Sequence, residues 1–340
     1  MKHPSDQPFP IEPLESRRLL AFSTSLSGGV LRVIADNAGV NLRVVTSLNN
    51  FRIIDSRDGT TEDVEAARVG AISLVGGAGN DILRVAASVN RRATLAGAGG
   101  NDTLIGGLLS DVYFGGGGSD TVDYAARTER LSVTIDGTAD DGAANEKDNI
   151  ATDVENIVGG SNNDLIVGSG GNNVLQGNGG KDTLRGGAGN DTLSGGSKND
   201  VLIGGAGSDL FSGGLGVDRV DYSDRSAAIV ITLDDKANDG EANEKDNIAS
   251  SVEVLVGGSG NDSIVGSGRS QQLFGGAGGD TLRGGGGGDT VNGGAGRDVI
   301  FGDGGNDVIF SRDGEIDTVS GGGGTDSADA DPTDVVTDVP

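Results

Sequence analysis

The chain has 340 residues, 51 acidic against 25 basic, and a net charge of −26 at neutral pH, which argues against nucleic acid or an anionic membrane as partner. Sixty-four glycines, 3% aromatic residues, no tryptophan and no cysteine exclude a thick aromatic core and a disulfide scaffold. No apolar stretch approaches the ~20 residues that a membrane span needs.

Residues 1–27 read as a disordered leader. It holds the only histidine, His3, so a soft-metal site has almost nothing to use. Within it, LESRRLL at residues 14–20 fits L-E-x-R-x-L-L and resembles the LEPR-XLL motif near the start of large bacterial surface and exported proteins, with Ser16 where that motif has proline. The resemblance implies export or surface display. Arg17 and Arg18 are not a twin-arginine signal, because Ser23, Thr24 and Ser25 interrupt any apolar region after them. Residues 28–75 contain VLRVIA, NLRVV and FRIID, whose alternation predicts strands. These are expected to form irregular coils that cap the glycine-rich region starting at residue 76.

From residue 76 onward the chain repeats G-G-x-G-x-D-x-U-x, where U is a large apolar residue. Five copies run without a gap from Gly177 (GNGGKDTLR, GGAGNDTLS, GGSKNDVLI, GGAGSDLFS, GGLGVDRVD), and four from Gly275 (GGAGGDTLR, GGGGGDTVN, GGAGRDVIF, GDGGNDVIF). Repeat arrays are expected over residues 76–122, 159–221 and 257–326. Glycines at positions one, two and four allow a tight turn with positive φ. The x-U-x part alternates in polarity, so U points inward from a short strand. U is Leu184, Leu193, Leu202, Phe211 and Val220, then Leu282, Val291, Ile300 and Ile309. One turn plus one strand makes half a coil, so eighteen residues close a full coil and loops two repeats apart stack at roughly 4.8 Å.

Stacking brings the position-six aspartates together. Two carboxylates ~4.8 Å apart at an effective dielectric of ~20 repel by ~3.5 kcal/mol, and a divalent cation between loops reverses that sign. Carboxylates with glycine-loop carbonyls form an oxygen-only set that suits Ca²⁺ better than a transition metal. The repeats resemble the RTX (repeat-in-toxin) calcium-binding family of secreted bacterial proteins. The resemblance implies a right-handed parallel β-roll that holds multiple Ca²⁺ ions between loops through position-six side chains and backbone carbonyls. Matched residue by residue, it points to Asp182, Asp191, Asp200, Asp209 and Asp218, and to Asp280, Asp289, Asp298 and Asp307. Asp164, Asp262, Asp120, Asp317 and Asp326 complete the set. Asn173 and Gln271 stand where aspartate is expected, so those loops keep the coil and lose a carboxylate. GGLLSDVYF (residues 106–114) is degraded, and the copies at Gly76 and Gly97 are out of phase.

Residues 123–158 and 222–256 interrupt the arrays with related sequences 98 residues apart, a duplicated insert. Each reads as a strand (131–135, 229–233), an acidic loop and a returning strand (156–158, 254–256), a hairpin-like excursion. Their shared NEKDN (145–149, 243–247) lacks the spacing of an EF-hand loop and reads as a solvated acidic turn. Residues 327–340 read as a C-terminal cap or tail. There is no H-E-x-x-H, and Gly179-Gly180-Lys181 precedes Asp rather than Ser or Thr, so it is not a P-loop. No stretch remains for a toxin or hydrolase domain.

The expectation is an all-β solenoid, not an enzyme, that binds calcium ions outside a bacterial cell or on its surface. The alternatives are a calcium-dependent adhesin or matrix protein with a cell-surface, glycan or matrix partner, or an enzyme using an acid pair such as Asp136 and Asp140.

Overall fold

The computed structural model describes residues 22–36 and 39–339; His3 and the motif at 14–20 lie outside them. Among the described residues every regular element is a strand except one 3-10 turn, Ala66–Arg68. Successive repeats occupy different sheets. Thr183–Ala188 pairs in parallel with Val201–Ala206, Leu184 opposite Leu202, while Thr192–Ser197 pairs with Leu210–Leu215, Leu193 opposite Phe211. The paired positions are eighteen residues apart, so the chain is a parallel β-roll, one form of β-solenoid.

The nonapeptide dictates this geometry through its single inward side chain. Leu184, Leu193, Leu202, Phe211, Val220, Leu282, Val291, Ile300 and Ile309 are all fully buried and merge into one continuous core. Burying each gives ~1.5–3 kcal/mol.

The solenoid opens with antiparallel layers. Phe22–Ser27 folds back on Val30–Ala35, which begins the parallel ladder by pairing with Ala71–Val75. On the other face Asn41–Ser47 pairs with Asn50–Asp55, and that strand with Thr61–Glu65. This last strand, TEDVE, carries three acidic residues, a charge load that discourages edge-to-edge pairing.

The inserts are more than hairpins. In the first, Leu131–Thr134 runs antiparallel to Ala139–Ala143, which runs antiparallel to Asp148–Ile150. The outer strands of this meander continue the parallel sheet: Asp148–Ile150 joins Val112–Gly117 of the preceding coil, and Leu131–Thr134 joins Leu165–Val167 of the following one. On another sheet Thr121–Asp123 pairs directly with Asn156–Val158, so only one side of the coil is widened.

The central strand of the meander falls in the stretch expected to be an acidic loop. Asp141 explains the difference. Its Oδ1 accepts the Thr134 N–H at 2.6 Å and its Oδ2 the Ile150 N–H at 3.1 Å, so one carboxylate ties the middle strand to both neighbours across an irregular register between Ala139 and Asp141. Asp239 does the same in the second insert with Thr232 and Ile248.

Candidate metal centre

The eighteen-residue period lines up the position-six aspartates in ladders. The Asp164 N–H donates to Asp182 Oδ1 at 2.7 Å, Asp182 to Asp200 at 2.8 Å, and Asp200 to Asp218 at 2.8 Å. Asp262, Asp280, Asp298 and Asp317 form a second such chain, and Asp289, Asp307 and Asp326 a third. Asp191 donates to Asp209. The early copies join despite their phase: Asp81 donates to Asp102 across 21 residues, and Asp102 to Asp120 across 18. The three additional residues lie in the corner between Ile82–Val85 and Arg92–Gly99, outside the paired strands.

Each ladder carboxylate therefore has one oxygen held by a backbone donor. The other divides the loops into two kinds. Among the described residues, Oδ2 is buried without any hydrogen-bond partner in Asp182, Asp191, Asp200, Asp209, Asp218, Asp280, Asp289, Asp298, Asp307, Asp120, Asp317 and Asp326. Asp102 joins them. In Asp164 and Asp262 the same atom accepts the N–H of the loop's second residue, Gly160 at 2.8 Å and Gly258 at 2.7 Å.

This closed form recurs wherever a stack of loops begins. Asp81 takes the Gly77 N–H and Asp111 the Gly107 N–H. Asn173 Oδ1 takes Ser169 N–H at 2.7 Å, and Gln271 Oε1 takes Ser267 N–H at 3.0 Å. The two loops that lost their carboxylate both keep the coil, with strands at Val174–Gly179 and Gln272–Ala277. Both are stack openers, where a neutral amide oxygen does the same job. In stacked loops the second residue instead has positive φ, +98° at Gly205 and +106° at Gly214. A Cβ at Gly205 would meet the Gly187 carbonyl of the loop before it at less than 3.0 Å.

Burial dominates the electrostatics. It pushes the Asp182 and Asp280 carboxyls up to about 7 and those of Asp191, Asp200 and Asp289 up to about 6. The preceding backbone N–H opposes that rise and the neighbouring aspartate adds to it. Mutual repulsion, the expected driving force, ranks behind desolvation.

The position-one glycines define where these oxygens converge. A Cβ on Gly177 would fall within 3.0 Å of both Asp182 Oδ2 and the Gly195 carbonyl of the following loop. Gly186 stands in the same relation to Asp191 and Gly204, and Gly284 to Asp289 and Gly302. Each such point gathers an unsatisfied carboxylate oxygen and a carbonyl oxygen, the hard donors that Ca²⁺ selects. Among the described residues no three acidic, histidine or cysteine side chains converge, so carbonyls must complete any cage. The donor set fits calcium.

The inserts contribute ladder residues that the repeat did not reveal. Asp111 donates to Asp148 Oδ1 and Asp209 to Asp246 Oδ1, each at 2.8 Å across 37 residues. Asp120 and Asp218 donate to Glu155 and Glu253 across 35 residues. Asp148 and Asp246 are the aspartates of NEKDN, read as a solvated turn; both are fully buried. Their spacing, one residue from two full coils, was the available signal.

Parallel coils of nonapeptides around rows of unsatisfied carboxylates define a calcium-binding β-roll protein. A family model of the RTX calcium-binding nonapeptide repeat matches residues 73–87, 91–122, 158–193, 185–220, 250–282 and 274–309. These segments cover half of the chain, which belongs to that family. A search of curated proteins found no match.

Proposed function

We propose that this is a secreted or surface-associated bacterial protein whose arrays bind multiple Ca²⁺ ions and complete their folding on doing so. The observation that carries the reading is the row of buried Oδ2 atoms without partners. An unsatisfied buried polar atom costs ~1–3 kcal/mol, more when charged, and the repeat places one in nearly every stacked loop. Asp182, Asp191, Asp200, Asp209, Asp218, Asp280, Asp289, Asp298 and Asp307, with Asp102, Asp120, Asp317 and Asp326, would hold the ions together with position-one carbonyls. Bound calcium supplies the positive charge that offsets their desolvation. Glycine at position one keeps the space open, and the ladder N–H fixes the orientation of each carboxylate.

A fold that depends on metal in this way suits the extracellular space, where calcium modules work at ~10⁻⁴–10⁻³ M. Export also agrees with the family's usual setting and with LESRRLL. No helix among the described residues is long and apolar enough to cross a membrane. The role is binding rather than catalysis, since the buried carboxylates without partners belong to the repeat loops. Circular dichroism during a calcium titration tests the reading. The β signal should rise over the millimolar range and Mg²⁺ should substitute poorly; a full β spectrum in excess chelator overturns it.

A further inference from the structure

In the two insert coils an arginine brings a cation against the preceding loop, and a tyrosine takes up the ladder carboxylate oxygen that the arrays leave unsatisfied. Arg127 is buried. Its guanidinium donates to Glu146 Oε1 at 2.8 Å and to the carbonyl of Gly107, the second residue of the preceding loop. It also lies over the Tyr124 ring, 5.7 Å from the centroid. The Tyr124 hydroxyl donates to Asp148 Oδ2 at 2.9 Å, so this ladder aspartate has partners on both oxygens.

The second insert repeats the arrangement. Arg225 donates to Glu241 at 3.2 Å, to Glu244 at 3.1 Å and to the carbonyl of Gly205, again the second residue of the preceding loop. Tyr222 donates to Asp246 Oδ2 at 2.7 Å. The copies differ in detail, since Glu241 stands where the first insert has Ala143, yet both keep the arginine, the tyrosine and the contact with the loop carbonyl.

We propose that Arg127 and Arg225 are tethered cations that take, in the insert coils, the place calcium takes in the arrays, so that these coils stay folded without metal and divide the solenoid into separately loaded blocks. The chemistry suits the role. A guanidinium cannot lose its proton in a protein, its planar fork bridges carboxylate and carbonyl together, and a charge on the chain needs no free-ion concentration. The proposal rests on the reading that the arrays take calcium. Its own test is made in chelator, where failure of that reading would appear separately, as arrays already protected without metal.

The experiment is hydrogen exchange on the full chain in EGTA and in CaCl₂, for wild type, Arg225→Gln and Arg225→Lys. In EGTA, amides of residues 131–150 and 229–248 should exchange on the order of tenfold or more slower than those of residues 275–310. Arg225→Gln should abolish that protection at 229–248 alone and leave 131–150 unchanged. Arg225→Lys, which retains the charge, should keep more of it. Calcium should restore protection in Arg225→Gln, the ion then meeting the freed Glu244 and Gly205 oxygens. Inserts that exchange as fast as the arrays in EGTA would overturn the proposal. So would a glutamine variant that is unchanged, or one that stays unprotected in calcium, which would make the arginine a packing residue.

Discussion

Asp164 and Asp182 are neighbours in one ladder and read alike in sequence, but they sit in different loops. Asp164 closes its loop on itself, one oxygen bound to Leu131 N–H and the other to Gly160 N–H. Asp182 has its Oδ1 on the Asp164 N–H and its Oδ2 buried without a partner. Asp262 and Asp280 repeat the contrast at the start of the third array. The local motif does not decide it, because GGSGND at residues 257–262 is closed and GGAGGD at 275–280 is open. What differs is the neighbour: closed loops come after the N-terminal strands, an insert or a corner, open loops after another loop. Readiness for metal is thus a property of stacking, in keeping with the nearest-neighbour energetics of repeat proteins.

The sharpest way to break this comparison is to remove the carboxylate from each kind of loop. Asp200→Ala, in an open loop with neighbours on both sides, should lose about two bound ions and raise the calcium midpoint on the order of tenfold, equivalent to ~1.4 kcal/mol. Asp262→Asn should lose none, because an amide oxygen serves a closed loop as Asn173 does. Calorimetric stoichiometry decides it, and equal losses would mean that loop position is irrelevant.

A second effect is expected from pH in the metal-free protein. Burial raises the folded-state carboxyls of Asp182 and Asp280 to about 7 and of Asp200 to about 6, from an ordinary 3.8. The folded chain then takes up protons before the unfolded chain does. The destabilisation is complete above pH ~7, is relieved as pH falls through 7 and 6, and stops changing below about 4. In EGTA the β content measured by circular dichroism should rise as pH drops from 7.5 to 4.5, and Asp182→Asn should flatten part of that rise. A β content that falls over this window would contradict the burial argument.

The most local effect concerns the backbone. Gly205→Ala places a Cβ at φ +98° against the Gly187 carbonyl and should cost at least ~1–2 kcal/mol. Gly170→Ala, in the opening loop 168–173 with open space around the new atom, should be within about 0.5 kcal/mol of wild type. Thermal melts in saturating calcium measure both.

Much of the coil was legible because the nonapeptide encodes it locally: one inward residue, glycines where φ must be positive, and a fixed step. The buried column from Leu184 to Ile309 results from that alone. The loop type was not legible, since it depends on what lies one coil away. The places of Asp148, Asp246, Glu155 and Glu253 were hidden because the chain leaves the ladder and re-enters it 35 or 37 residues later. Asp141 and Asp239 were hidden for another reason. A carboxylate that accepts two backbone donors turns an acidic stretch into a strand, and composition reads the same stretch as a loop.

The central claim is that calcium goes to the unsatisfied Oδ2 atoms. A crystal structure of the full chain grown in calcium tests it most directly, through anomalous density at each loop. The account predicts ions against Asp182, Asp200, Asp280 and Asp298, with the Gly160 and Gly258 bonds to Asp164 and Asp262 intact and no ion on those Oδ2 atoms. Ions distributed equally over closed and open loops, or density confined to the inserts, would contradict it.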